Sequence, residues 1–167
     1  MRMTLVSLPG LLPNAIFDLR YTTTNNITGM VLGDVVTVAR LEMAAATALR
    51  KAASRFQEQD LRLVIWDAYR PEHVQTALRK TDPDKKYVLE HSQHSLGLAV
   101  DITLATAEGK LLDMGTDHDD FSERAHPDSK AVSQLQRSNR QLLIDGMREY
   151  GFVVWPYEWW HFDYVGK

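Results

Sequence analysis

Between Val38 and Gln59 the apolar residues Leu41, Ala44, Ala45, Ala48, Leu49, Ala52 and Phe56 recur at helical spacing, with Arg40, Arg50, Lys51 and Arg55 mostly on the other side. The spacing predicts an amphipathic helix. From Leu61 to Trp66 the period changes to two, Leu61, Leu63 and Ile65 alternating against Arg62, Val64 and Trp66, which predicts a strand. That strand runs into Asp67-Ala68-Tyr69-Arg70-Pro71. Proline suits the first turn of a helix, so Glu72 to Arg79 is expected to start there and to leave Arg70 at the strand-to-helix corner. Leu98 to Leu104 alternates again and places Asp101 on one face with Ala99 and Thr103.

Val132 to Tyr150 predicts a second long helix, with Leu135, Leu142, Met147 and Tyr150 among its buried candidates and Gly151 as its stop. Phe152 to Trp155 and Trp159 to Tyr164 read as two short strands separated by a turn at Pro156. Asp18 to Gly33, with its Thr, Asn and Gly residues, reads as an ordered loop or sheet edge; Thr81 to Lys86 is a polar stretch, and Glu108 to Pro127 a strand-flanked acidic loop. The sum is an α+β fold, a small antiparallel sheet flanked by two principal helices, in a single domain spanning 1–167 without repeat or linker.

Composition narrows the chemistry. A chain of 167 residues with 44% hydrophobic content can bury a sizeable core. Its 19 Lys and Arg against 22 Asp and Glu give a net charge of -3, which offers no broad basic surface to nucleic acid or to a membrane. Cysteine is absent, so any transition-metal site is built from His, Asp, Glu or water, and a zinc finger is excluded. The apolar run between Met1 and Pro13 is broken by Ser7, Pro9 and Gly10, too short for a signal sequence or a span, and a cytoplasmic location is expected.

Two clusters carry candidate chemistry. In Ser92-Gln93-His94-Ser95-Leu96-Gly97-Leu98-Ala99-Val100-Asp101, Gly97 lets the chain turn closely between a histidine before the strand and an aspartate within it. The second cluster, Glu158-Trp159-Trp160-His161, offers His161 as a third ligand. Two neutral imidazoles and one carboxylate would hold one Zn²⁺ per chain with an open position for water, a catalytic rather than structural pattern. Attack by that water needs a base that is not a ligand, and Glu158 fits the vacancy. Residues three apart face opposite sides of a regular strand, so Glu158 and His161 are not expected in the same regular strand; Pro156 and Tyr157 supply an irregular turn.

Ser-x-His-x-x-Gly-x-Ala-x-Asp followed by Glu-x-x-His resembles the zinc signature of the D-Ala-D-Ala metallopeptidases. Asp18-Leu19-Arg20-Tyr21 with Thr23, Asn25, Asn26 and Gly29, then Asp67 to Pro71, then Met114-Gly115-Thr116 leading to Asp119, resemble segments of the VanX-type dipeptidase branch in the same order. The resemblance implies zinc on His94, Asp101 and His161, Glu158 as general base and acid, and Arg70 stabilising the oxyanion. It implies too that Tyr21, Ser92 and Asp119 gather at the ammonium group of a small dipeptide, D-alanyl-D-alanine, hydrolysed to D-alanine by attack of the zinc-bound water. One departure is His118, just before Asp119, where the resemblance leads one to expect an apolar aromatic.

Taken singly, each of these residues has an ordinary structural reading: Arg70 in a corner salt bridge, Tyr21 packed, Ser92 capping a turn, Asp119 in a solvated acidic loop. That loop lacks the Gly and terminal Glu of a calcium-binding EF-hand. His73, His91 and His126 read as surface, helix or supporting residues, and Trp155, Trp159, Trp160 and Phe162 as core beneath the site. Two rival functions remain: a D,D- or L,D-carboxypeptidase or endopeptidase acting on peptidoglycan peptides, and a non-catalytic zinc-stabilised binding domain.

Overall fold

The computed structural model describes residues 3–32, 38–82 and 86–166; Gly33 of the first expected loop and residues 83–85 of the polar stretch lie outside them. The central sheet has five strands in the order β2 (Ile16–Phe17), β4 (Leu61–Asp67), β5 (Ala99–Thr106), β7 (Glu158–Tyr164), β6 (Phe152–Trp155). All its pairs are antiparallel except β2 with β4, which is parallel. β1 (Leu5–Ser7) and β3 (Arg40–Glu42) form a separate antiparallel pair. Three helices complete the described fold: α1 (Met43–Gln57), the short α2 (Glu72–Arg79) and α3 (Gln134–Arg148). No helix among the described residues is long and apolar enough to cross a membrane.

The helix expected from Val38 begins at Met43, because Arg40–Glu42 spends its backbone groups on β1 and the Glu42 carboxylate then caps Ala44 N–H at 2.7 Å. Leu41 is still fully buried, but from a strand, and Ala44 faces out. In α3, Arg140, Leu143, Ile144 and Met147 form the inward stripe. Leu135, an expected core residue, is 64% exposed. Five positions before Arg140, it stands about 140° round a helix that turns by about 100° per residue. Ser133 and Gln136 close a reciprocal capping box at the start of α3, and Gly151, at φ +86°, ends the turn that follows it.

Alanines 45, 46, 48 and 52 give α1 a low inner face, so it lies close to the sheet and to α3. At the α1 to α3 contact, Phe56 is fully buried and Gly146 meets its ring: a Cβ on Gly146 would sit 2.3 Å from Phe56 Cζ. Gly146→Ala gains about 1 kcal/mol of helix propensity, against an overpacking cost of about 1–3 kcal/mol at the upper end of its range because the ring has nowhere to move. A net loss of about 1–2 kcal/mol is expected in denaturant unfolding, recovered in part when Phe56→Leu is combined with it. Equal or greater stability of the single variant would contradict this packing.

Candidate active site

Three strands present one row of side chains. Asp101 on β5 is paired with His161 on β7 and, on its other side, with Asp67 on β4, and directly opposed residues of antiparallel strands share a face. The second pairing depends on an irregularity: Ile65 opposes Ile102, and the next partners are Asp67 and Asp101, so Trp66 is the extra residue. A regular ladder would have set Trp66 opposite Asp101.

His94 arrives from outside the sheet, on a 3-10 turn, Gln93–Leu96, whose N-cap Ser92 accepts from His94 N–H at 3.2 Å. Gly97 closes that turn at φ +67°, and a Cβ there would fall 2.6 Å from Leu5 Cδ2 and 2.9 Å from Glu42 N. Both the left-handed conformation and the approach of β3 therefore demand glycine. The His94 imidazole is fully buried, and its Nδ1–H donates to the Ala68 carbonyl at 2.6 Å, which leaves Nε2 without its proton on the side facing the cleft. His161 is turned the other way, Nε2–H donating to Asp163 Oδ1 at 3.0 Å and Nδ1 pointing into the cleft.

His94 Nε2, His161 Nδ1 and Asp101 Oδ1 meet at 3.2, 3.2 and 3.1 Å from one another. Two ring nitrogens facing each other at this distance beside a carboxylate oxygen repel unless a proton or a metal cation lies among them, and the two nitrogens and one oxygen are a donor set that suits a metal ion. Burial opposes a positive charge on His161, yet the hydrogen bonds of Asp101 and Asp163 outweigh it and push the imidazole up to about 10. Burial likewise works against the Asp101 carboxylate, and the facing His94, His118 and His161 hold it well below the usual range.

Glu158 lies in the same strand as His161, one residue before the expected start at Trp159, and that strand is not regular, as the three-residue spacing demands. Val154 opposes Phe162 and Trp155 opposes Glu158, so one step along β6 answers four along β7, and pairing with β5 begins only at His161. The excess takes up Trp159 and Trp160, both buried, and brings Glu158 Oε2 to 3.8 Å from His161 Nδ1. Burial pushes the Glu158 carboxyl up to about 7, with His161 acting in the opposite sense.

Arg70 is buried at the β4 to α2 corner, donating through Nε to Asp67 at 2.7 Å, through Nη1 to Gln75 Oε1 at 2.7 Å and through Nη2 to Asp101 Oδ2 at 3.3 Å. Burial disfavours its charge; Asp67, Tyr21 and Asp101 more than offset that and keep the guanidinium protonated. Its Cζ lies 4.9 Å from the centre of the Tyr21 ring. Tyr21 donates its hydroxyl to Asp119 Oδ1 at 2.9 Å, and Ile27 N–H donates to Asp119 Oδ2 at 3.1 Å. Asp119 adopts φ +61° and is 8% exposed, so the acidic loop is not solvated at this residue. Arg140, fully buried beneath the loop, donates to the carbonyls of Met114, Arg124 and His126.

A cavity of about 130 Å³ opens over this row, and Tyr21, Arg70, Ser92, Asp101, Asp119, Glu158 and His161 all line it. Every candidate residue is thus at one site, His94 reaching it through its contacts with Asp101 and His161. Sequence reasoning missed the positioning pair Asp67 and Gln75, for which the spacing Asp-x-x-Arg was the only signal. It also placed Trp155 in the core, whereas this ring is partly exposed and lines the cavity, 6.1 Å from that of His161. His73 and His91 are exposed, and the His126 ring packs 5.3 Å from that of Tyr157.

A mixed sheet that presents a His-Asp-His donor set beside a protonatable glutamate is the framework of a hydrolytic enzyme. The profile of the "D-ala-D-ala dipeptidase" peptidase family matches residues 1–167. A D-alanyl-D-alanine dipeptidase of Escherichia coli (strain K12) is 40% identical over 162 residues, 95% of this chain and 83% of that protein. One of Enterococcus faecalis (strain ATCC 700802 / V583) is 31% identical over 175 residues, 90% of this chain and 86% of that protein. The crystal structure of a vancomycin-resistance D,D-pentapeptidase VanY variant in complex with Zn(II) shares the fold, with a TM-score of 0.53 at 16% identity over 79% of this chain and 76% of that one. The chain belongs to the D-alanyl-D-alanine dipeptidase family, and it is a peptidase.

The turn that presents His94 is open to test. Gly97→Ala places a Cβ against Leu5 and Glu42 in a left-handed conformation, and a loss of at least ~2 kcal/mol is expected from strain and overpacking together. Denaturant midpoints measure it. A loss below ~0.5 kcal/mol would show that the turn relaxes freely.

Proposed function

We propose that this protein, acting as one domain, hydrolyses the free dipeptide D-alanyl-D-alanine to two molecules of D-alanine, with one Zn²⁺ per chain held by His94, Asp101 and His161. The observation that supports the reading most is the convergence of His94 Nε2, His161 Nδ1 and Asp101 Oδ1 beside a buried glutamate at a cavity of about 130 Å³. Family membership supports a peptidase over the non-catalytic binding domain. Bound zinc supplies Lewis acidity toward the scissile carbonyl and eases the ionisation of a water.

The chain's own residues do the rest. Glu158, with a carboxyl poised near neutrality, takes the proton of the attacking water and hands it to the departing amine nitrogen. Arg70 has no acceptor and stays charged; locked by Asp67 and Gln75, it donates to the oxyanion without entering the proton transfers. Asp119 already takes one donor on each oxygen, from Tyr21 and from Ile27, and its remaining lone pairs accept the substrate ammonium, with Ser92 on the same wall.

Purified protein is expected to carry one zinc per chain and to lose turnover to a chelator. Glu158→Gln keeps the side-chain volume and the metal but not the proton carrier, so turnover is expected to fall by at least ~10² with zinc content unchanged. Metal analysis alongside steady-state kinetics reads both. Full turnover in metal-free protein, or near-native turnover by the glutamine variant, removes this mechanism.

The ammonium site gives the sharper discrimination. A buried carboxylate left facing an acetylated amine is an unpaired charge, which costs several kcal/mol. Free D-Ala-D-Ala is therefore expected to be cleaved at least ~10²-fold better than its N-acetyl form by kcat/KM, a preference that Asp119→Asn reduces. Equal cleavage of both by the native protein would favour the carboxypeptidase reading and leave the metal centre standing.

A further inference from the structure

The Asp101 carboxylate uses its two oxygens for different tasks. Oδ1 lies among the ring nitrogens of His94 and His161, while Oδ2 is turned away from them and accepts from Arg70 Nη2 at 3.3 Å and from His118 Nε2 at 3.2 Å. His118 itself is enclosed: its side chain is 1% exposed, and its ring centre lies 5.6 Å from that of Tyr21, 5.3 Å from Trp66 and 5.6 Å from Trp160. That box of three aromatic rings suits an apolar ring as well as an imidazole. Packing alone thus does not call for a histidine here; the hydrogen bond to Asp101 does.

We propose that His118 is a positioning residue for the metal centre, fixing Asp101 through its outer oxygen so that Oδ1 alone is offered to the ion, and tying that ligand to the adjoining amine-binding carboxylate. A carboxylate free to rotate would swing Oδ2 toward the cleft or present both oxygens; a donor on Oδ2 from His118 and a second from Arg70 hold one orientation. The link to the substrate pocket is short, since His118 Nδ1 lies 3.5 Å from Asp119 Oδ2 and the two residues are adjacent in the chain. Among the described residues Nδ1 has no hydrogen-bond partner, so its approach to Asp119 is one of charge and the single hydrogen bond to Asp101 sets the ring's polar orientation. The Asp67-held Arg70 performs the same service from the other side.

The inference rests on the proposed zinc site, and its test separates the two. Zinc dissociation constants are measured by competition with a chromophoric chelator, without substrate, for the native protein, His118→Phe and His118→Gln. His118→Phe keeps the aromatic packing and loses the donor, and is expected to weaken zinc binding by about 10- to 100-fold with a thermal midpoint near native. His118→Gln carries an amide nitrogen close to the place of Nε2 and is expected to recover most of the loss, which a purely space-filling role would not allow. Should the phenylalanine variant fail to fold, His118→Asn, too short to reach Asp101, makes the same comparison with glutamine. Zinc binding by His118→Phe within about twofold of native overturns the role of His118 alone, whereas a native protein that takes up no zinc overturns the metal reading on which it stands.

Discussion

A buried carboxylate must be paired, and the pairing of Asp101 organises everything around it. At 2% exposure it would be strongly unfavourable alone, yet four groups face it: His94, His161, His118 and Arg70, each from a different part of the chain. Two of them share one oxygen and two the other. This division leaves a cleft with electron-pair donors on its inner side and fixed positive or proton-donating groups on its outer side. The arrangement suits a cation on the inner side, and in the proposed reaction it is Arg70 that meets the developing negative charge.

Holding that arrangement takes irregular backbone, placed where the sheet meets the site. The extra residue Trp66 in β4 puts Asp67 rather than a tryptophan opposite Asp101, and the extra length in β7 brings Glu158 back over His161. In both places the displaced residues are large aromatics that pack edge-on, Trp66 against Trp159 at 5.7 Å and Trp159 against Trp160 at 5.5 Å. Their burial stabilises the bulges that the chemistry uses. Arg140 plays a comparable part in the acidic loop, its guanidinium donating to the carbonyls of Met114, Arg124 and His126 and so fixing the segment that leads to Asp119.

The pattern along the chain was enough to establish some of this. Period-2 alternation found β4 and β5, the turn at Pro156 marked off the two C-terminal strands, the 3.6-residue period found α1 and α3, and the proline after Arg70 placed that side chain at its corner. Long, strongly periodic segments carry their own evidence. β1, β2 and β3 are two or three residues long, too short for any period to show, and they form only because a partner strand lies alongside. Leu135 and Ala44 were misplaced for a related reason: near a helix end the direction of the core is set by what packs there, which local spacing does not contain.

The sequence by itself determined the donor types and their separations: His94 and Asp101 around a glycine turn, and a glutamate three residues before His161. Side-chain chemistry is local, so those residues pointed to a candidate metal site and a candidate base without any structure. Which nitrogen of each histidine faces the cleft was decided by Ala68 and Asp163, and which oxygen of Asp101 does so by Arg70 and His118. The packing of Tyr21 onto Asp119 across 98 positions and the role of Asp67 behind Arg70 belong to the same class. These depend on strand register and bulges, quantities that are summed over the whole sheet and are written in no single segment.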